Sequence, residues 1–123
     1  NVIESVNDDR LRIYLYHIPP IAKVGISLQL IEALLKNYPQ CIAGIKDSSG
    51  DWENTQRMLD QNWDNFSIFA GSEAFLLQTL RNGGAGCISA TANINPERIH
   101  KLYKNWQYCS TRFLKRRKLC QQK

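Results

Sequence analysis

Two side chains in this sequence could do covalent and acid–base chemistry at the ends of apolar segments. Lys46 ends the segment 41–46, and Tyr16 lies near the end of the segment 12–18. Burial disfavours an ammonium ion, and the free amine that results attacks a carbonyl to form a Schiff base. A phenol both donates and accepts a hydrogen bond, so it is suited to relaying protons. The two residues are therefore candidates for carbonyl chemistry.

Each residue also has an ordinary structural interpretation. Lys46 could reach past its segment and pair with Asp47 or Asp51. Tyr16 could be a core residue whose hydroxyl is satisfied by a neighbour. Alternation along an extended segment places Gly44 and Lys46 on one face, where the glycine would leave space beside the lysine. Spacing alone leaves both interpretations open.

The elements that must position these residues alternate strand with helix four times. Apolar runs predict strands at 12–18, 41–46, 66–70 and 86–90. Capping residues and helical spacing predict helices after Ser27, from about 52 to 61, after Ser72 and after Asn95. Strands that are apolar on both faces and separated by helices predict a parallel sheet covered by helices, hence an α/β fold. Both an open sheet and half of an eight-stranded barrel fit, and either gathers its chemistry at the carboxyl ends of the strands.

The charges separate a near-neutral body from a basic C-terminal segment. The 123 residues carry a formal charge of +5, yet residues 1–110 contain ten basic and eleven acidic side chains. We therefore predict a partial barrel domain of four strand–helix units at 1–110 and a basic tail at 111–123, which either extends the last helix or frays. Such a tail could hold nucleic acid with a steep dependence on salt. The basic composition of the tail can also be explained without a ligand, because cations are favourable near the negative C-terminal end of a helix.

Composition and cysteine spacing exclude several other classes of protein. No apolar run approaches the roughly 18 residues that indicate a membrane helix. The four cysteines are widely spaced and form no metal-binding pair, which indicates reduced thiols in a cytoplasmic protein. The sequence begins at Asn1 without an initiator Met or a signal-like segment. We therefore expect it to be part of a longer protein.

Four motifs occur in order along the chain: YHIP at 16–19, GIKDSSGD at 44–51, FAGSE at 69–73 and GCISATAN at 86–93. Together they resemble the dihydrodipicolinate synthase and N-acetylneuraminate lyase family of class I aldolases, with order and spacing matching through about residue 105. The resemblance implies a TIM barrel, of which this chain would be the C-terminal half, strands five to eight. It also implies an enzyme that needs neither metal nor organic cofactor and assembles as a homotetramer.

The same resemblance implies a role for five residues. Lys46 matches the lysine that forms a Schiff base with pyruvate or another 2-oxo acid, and Tyr16 matches the tyrosine that relays protons. Gly71 falls where a loop lines the substrate pocket, and Glu73 lies near the position that contacts substrate hydroxyls in the sugar-acid lyases. Ile88 falls where a backbone carbonyl faces the substrate. The implied reaction is reversible carbon–carbon bond formation between the 2-oxo acid and an aldehyde.

Two departures from the family pattern shape the expected function. Ile21 occupies the place where true synthases carry an arginine that clamps a carboxylate, and Lys23 nearby would supply only a point charge. A lyase or aldolase acting on a 2-oxo acid is therefore favoured over dihydrodipicolinate synthase itself. The first four strands are missing from this chain, so we expect it to be inactive in isolation. A degenerate barrel without catalysis, using its basic tail to bind nucleic acid, is the alternative from another class.

Overall fold

The computed structural model describes residues 1–109, and a four-stranded parallel sheet forms its centre. The strands are β1 (Ile13–His17), β2 (Ile42–Asp47), β3 (Ser67–Ala70) and β4 (Gly86–Cys87). Their spatial order is β1-β2-β3-β4, and each neighbouring pair is parallel. Helical crossovers place consecutive parallel strands side by side, which gives this order. The predicted α/β fold with a parallel sheet is confirmed.

Six α-helices accompany the strands within the described residues. They are α1 (Val2–Val6), α2 (Pro19–Ala22), α3 (Leu28–Asn37), α4 (Trp52–Leu59), α5 (Leu76–Arg81) and α6 (Pro96–Asn105). Short 3₁₀ segments occur at Glu73–Phe75, Ala90–Asn93 and Trp106–Tyr108. The sequence did not predict the two shortest helices. A capping box between Asn1 and Glu4 begins α1, and Pro19 occupies the first turn of α2.

The predicted caps are confirmed at two of three positions. The Ser27 hydroxyl accepts a hydrogen bond from the backbone N–H of Leu30, and the Ser72 hydroxyl accepts one from Ala74. Asn95 precedes α6 as expected, but its side chain makes no capping hydrogen bond. Proline at the first helical position and Glu97 in the first turn support this start instead.

The largest error in the predicted bounds concerns the last strand, which was expected at 86–90 and ends at Cys87. The Ser89 hydroxyl accepts a hydrogen bond from the backbone N–H of Thr91 and caps the following 3₁₀ turn. The chain therefore leaves the sheet direction after Ile88, whose N–H still donates to Ala70. Helix α4 likewise ends at Leu59, two residues before its predicted end.

The hydrophobic core lies on one face of the sheet. Its buried cluster combines residues of two strands and of the helices α3 and α4: Ile31, Ile45, Met58, Leu59 and Ile68. The opposite face, which we call the open face, carries Tyr14, Tyr16, Gly44, Lys46 and Phe69. Tyr14 and Tyr16 are 52% and 50% exposed there. Within residues 1–109, the expectation that helices cover the sheet therefore holds for one face only. The predicted basic tail at 111–123 lies outside the described residues.

Candidate active site

Lys46 and Tyr16 contact each other on the open face. They are register partners on the neighbouring strands β2 and β1, so their side chains leave the sheet on the same side. The Lys46 amine donates a hydrogen bond to the Tyr16 hydroxyl over 3.1 Å. The same nitrogen lies 4.3 Å from the centre of the Tyr16 ring, within the range of a cation–π contact.

This contact changes the acidity of the phenol. The hydrogen bond from Lys46 is the largest cause that lowers the pKa of Tyr16 below its ordinary value, and the nearby Ser48 side chain is the second. Both partners stabilise the phenolate more than the neutral phenol. The Tyr16 hydroxyl therefore gives up its proton more readily than that of a solvated tyrosine.

The structure does not pair Lys46 with Asp47 or Asp51, because both carboxylates accept hydrogen bonds from other groups. Asp47 is buried and accepts hydrogen bonds from Thr55 at 2.7 Å and Asn54 at 3.1 Å. Asp51 caps α4 by accepting from the backbone N–H of Glu53. The partner of the Lys46 amine is thus a phenol and not a carboxylate.

The expected space beside Lys46 is filled. A Cβ added to Gly44 would lie 2.8 Å from two ring carbons of Tyr14 and 2.3 Å from the backbone oxygen of Ser67. The prediction that Gly44 leaves open space was therefore wrong. The glycine instead lets the Tyr14 ring lie flat across the strand, where it meets Phe69 edge to face at 6.0 Å between ring centres.

Gly71 lies at the end of β3, against the end of β2. Its N–H donates to the backbone oxygen of Asp47 over 2.7 Å. A Cβ at this position would lie 2.2 Å from the Ser48 hydroxyl oxygen and 2.8 Å from the Asp47 backbone oxygen. Only glycine at position 71 leaves room for the Ser48 side chain between the ends of β2 and β3.

Glu73 lies in the turn after β3 and accepts a hydrogen bond from the Ser89 hydroxyl. Hydrogen bonds from Ser89, from its own backbone and from Thr91 hold the pKa of Glu73 below its usual value. Burial first, and the charge of Glu73 second, raise the pKa of the Cys87 thiol. Glu73 is therefore an ionised acceptor at the carboxyl ends of β3 and β4.

Sequence comparison connects this geometry to a known family. The sequence model of the Dihydrodipicolinate synthetase family matches residues 2–118. The chain belongs to the Dihydrodipicolinate synthetase family. The match extends well past residue 105, where the resemblance was expected to end, and it includes much of the basic segment.

Proteins with similar sequences and structures support this family assignment. An uncharacterized DapA-like lyase of Chloroflexus aurantiacus is 37% identical over 86 residues, which is 70% of this chain and 28% of that protein. Dihydrodipicolinate synthase from Agrobacterium tumefaciens superposes with a TM-score of 0.73 at 34% identity, covering 80% of this chain and 34% of that one. A prophage protein of the dihydrodipicolinic acid synthase family from E. coli K12, solved in complex with pyruvate, gives a TM-score of 0.75 at 28% identity, covering 85% and 36%.

The chain spans about a third of the length of these family members. Its four parallel strands with their helices therefore form part of the family's barrel. The half of the barrel predicted from the sequence was counted by strands rather than by chain length.

Two residues that shape this site, Ser48 and Ser89, were given no role from the sequence. Ser48 follows Lys46 by two positions, and that spacing on an extended segment was a usable signal for a shared face. Ser89 and its contact with Glu73 depend on the packing of two loops and had no local signal. Ile88, which was predicted to bind substrate, follows β4 with a side chain that is 46% exposed.

Between residues 1 and 109, no three His, Cys, Asp or Glu side chains lie close enough together to hold a metal ion. None of the helices in this range is long and apolar enough to cross a membrane. Cys41, Cys87 and Cys109 are free thiols.

Proposed function

We propose that this chain is the C-terminal half, strands five to eight, of a (β/α)₈ barrel, and that the full-length protein is a Schiff-base lyase or aldolase. Its substrates are pyruvate or another 2-oxo acid and an aldehyde. The observation that carries the proposal is the 3.1 Å contact between the Lys46 amine and the Tyr16 hydroxyl. This contact lies near the carboxyl ends of two parallel strands, where barrel enzymes hold their active sites.

Lys46 acts as the nucleophile. Its neutral amine attacks C2 of the 2-oxo acid, and the resulting carbinolamine loses water to give a protonated imine. Loss of a proton from C3 then gives an enamine, which attacks the carbonyl carbon of the aldehyde and forms the new carbon–carbon bond. Hydrolysis of the imine returns the amine, and the lyase direction runs the same steps in reverse.

Tyr16 moves the protons of these steps. Its lowered pKa makes the phenol a better donor toward the departing hydroxyl of the carbinolamine. The phenolate then accepts a proton in a later step. Direct contact with the nucleophilic nitrogen supports this role, because general acid–base catalysis needs hydrogen-bond reach to the reacting atoms.

Three further residues contribute to substrate binding in this proposal. Gly71 lines the pocket next to Ser48, and Ile88 presents its backbone carbonyl to the substrate. Glu73 accepts hydrogen bonds from hydroxyl groups of the aldehyde substrate. Its ionised carboxylate, already an acceptor for Ser89, supports that assignment.

The segment after β1 favours a lyase over a dihydrodipicolinate synthase. Ile21 is 75% exposed and carries no charge. The Lys23 amine turns back to donate to the backbone oxygen of Pro20 over 2.8 Å. Neither residue provides the bidentate clamp that a second carboxylate substrate requires.

Borohydride reduction in the presence of pyruvate tests the proposal. Peptide mass spectrometry of the full-length protein should find the reduced adduct on Lys46, and Lys46→Arg should remove it. Lys36→Arg, in the last turn of α3, is the matched control and should keep the adduct. No adduct, or an adduct confined to another lysine, defeats the mechanism. The isolated 123-residue chain should not be trapped, because its open face leaves the amine in water.

A further inference from the structure

His17, the last residue of β1, is a buried polar side chain that the proposed reaction does not use. Only 6% of its surface is exposed. Its Nδ1 atom accepts a hydrogen bond from the backbone N–H of Ile26 over 2.9 Å. That nitrogen can accept only in the neutral ring that carries its proton on Nε2. The imidazole thus joins the end of the strand to the segment that leads into α3.

This hydrogen bond is the main directional contact of residues 24–26. The backbone N–H groups of the preceding turn, up to Lys23, bond within α2. Among the N–H groups of residues 24–26, the bond from Ile26 to His17 is the one hydrogen bond made within the described part of the chain. Val24 is 68% exposed, whereas the Ile26 side chain packs against the buried cluster. The apolar contact draws the segment toward the core, and the bond to His17 fixes its position.

The neighbouring glycine also packs against this ring. A Cβ added to Gly25 would lie 3.5 Å from the Cε1 atom of His17, which is bonded to Nδ1. The backbone at Gly25 therefore passes along the same edge of the imidazole that accepts the hydrogen bond. Two consecutive residues of the segment, 25 and 26, meet the His17 side chain.

The anchored segment lies next to the candidate catalytic pair. Tyr16 and His17 are consecutive in β1, and the alternation of the strand turns Tyr16 to the open face and His17 to the helix-covered face. The segment 18–27 starts at the carboxyl end of this strand. It contains Ile21 and Lys23, the residues that argue against a carboxylate clamp. A hydrogen bond on the covered face therefore fixes a segment beside the site.

We propose that His17 is a positioning residue that holds the segment 18–27 in place for the second substrate. The inference rests on the proposed function, because it concerns the side of the site that receives the aldehyde. The imidazole transfers no proton in this role, since it faces away from Lys46 and Tyr16. Removing the Nδ1 acceptor loosens the segment and weakens binding of the aldehyde, while Lys46 still reacts with pyruvate.

The first test measures the anchor itself and needs no activity. NMR of the full-length protein labelled with ¹⁵N should show an unprotonated Nδ1 at His17 at mildly alkaline pH, with His17→Leu assigning the signals. Amide hydrogen exchange at Ile26 should be about tenfold faster in His17→Leu, as expected for the loss of one hydrogen bond. His17→Asn, whose side-chain oxygen can replace Nδ1 as the acceptor, should restore most of the protection.

His100→Leu is the matched control, because His100 is an exposed histidine of α6. It should leave exchange at Ile26 unchanged. His17→Gln, whose longer side chain moves the acceptor away from the position of Nδ1, replaces His17→Leu if the leucine variant does not fold. The proposal fails if Ile26 exchanges at the same rate without the acceptor, or if the His17 ring carries its proton on Nδ1.

The second test separates the two substrates. Exchange of the pyruvate C3 protons with deuterated water needs the imine and enamine at Lys46 but no aldehyde, so His17→Leu should leave its rate unchanged. In the condensation of pyruvate with glyceraldehyde, the same variant should raise the KM for glyceraldehyde about tenfold, and His17→Asn should restore it. An unchanged KM, or equal losses in both reactions, would overturn the positioning role. Absence of a pyruvate adduct in the unsubstituted protein would defeat the proposed function instead, and exchange at Ile26 would still decide whether His17 anchors the segment.

Discussion

Lys46 and Tyr16 are register partners on adjacent parallel strands, and their side chains touch over 3.1 Å. The strand register therefore creates the contact, since paired residues of neighbouring strands project from the same side of a sheet. A slip of one residue would turn Lys46 toward the helix-covered face. Proper formation of the β1–β2 pair is thus a condition for the proposed chemistry.

Charge and nucleophilicity at position 46 can be separated by two substitutions. Lys46→Met should raise the pKa of Tyr16 toward its ordinary value, because it removes the main hydrogen bond that lowers it. Phenolate would then appear only at higher pH, which ultraviolet titration of tyrosinate detects. Lys46→Arg should keep the Tyr16 pKa low, although neither variant forms a pyruvate adduct. Equal titrations for the two variants would contradict the assigned cause.

We expect the substitution of threonine by valine to affect stability differently at two buried positions. The Thr55 hydroxyl donates to the buried carboxylate of Asp47 over 2.7 Å. Thr55→Val should cost about 1–3 kcal/mol of unfolding free energy, since it leaves the carboxylate one donor short. The buried Thr79 hydroxyl has no hydrogen-bond partner among residues 1–109, so Thr79→Val should be neutral or stabilising. Urea denaturation of both variants gives the comparison, and equal losses would refute this explanation.

Gly71 and Gly25 form a second matched pair. Gly71→Ala would place its Cβ 2.8 Å from the Asp47 backbone oxygen, which cannot move without disturbing β2. We expect a loss of about 1–3 kcal/mol, as for other overpacked sites. At Gly25 the new methyl would meet His17 alone among residues 1–109, at an ordinary contact distance of 3.5 Å. Thermal unfolding should show Gly25→Ala close to the unsubstituted chain, and a similar loss at both sites would count against the steric argument.

Glu73→Gln should make Cys87 more reactive. The carboxylate of Glu73 raises the pKa of the Cys87 thiol, although burial contributes more. Removing the charge should lower that pKa, so more thiolate is present at a given pH below it, and alkylation by iodoacetamide becomes faster. Peptide mapping over a range of pH measures the rate at Cys87. Glu97→Gln, in the first turn of α6, is the control and should leave the rate unchanged.

Local sequence signals predicted most of the fold. Four apolar segments and the serine caps at Ser27 and Ser72 placed the strand–helix units correctly, because a cap acts within one helical turn. The end of β4 was predicted too late, since it is set by the Ser89 hydroxyl and the following turn rather than by side-chain hydrophobicity. The open face was not evident from the sequence, because Tyr14 and Tyr16 lie in an apolar segment that predicts a buried strand.

The candidate site could be predicted in its central pair but not in its surroundings. Lys46 and Tyr16 stand out because a cation and a phenol end apolar strands. The fit of Ser48 into the space at Gly71 arises from the packing of two strand ends, and the contact between Ser89 and Glu73 joins two loops. Such contacts depend on distances between segments that no local pattern encodes.

The one-sided core of residues 1–109 keeps the buried contacts apart from the candidate active site. The buried cluster around Ile31, Ile45 and Met58 lies on one face of the sheet, and the Lys46–Tyr16 pair lies on the other. Substitutions at the half-exposed Tyr16 or at Lys46 therefore leave the core contacts intact. Substitutions on the open face of residues 1–109 should therefore cost little of the stability that the helix-covered side supplies.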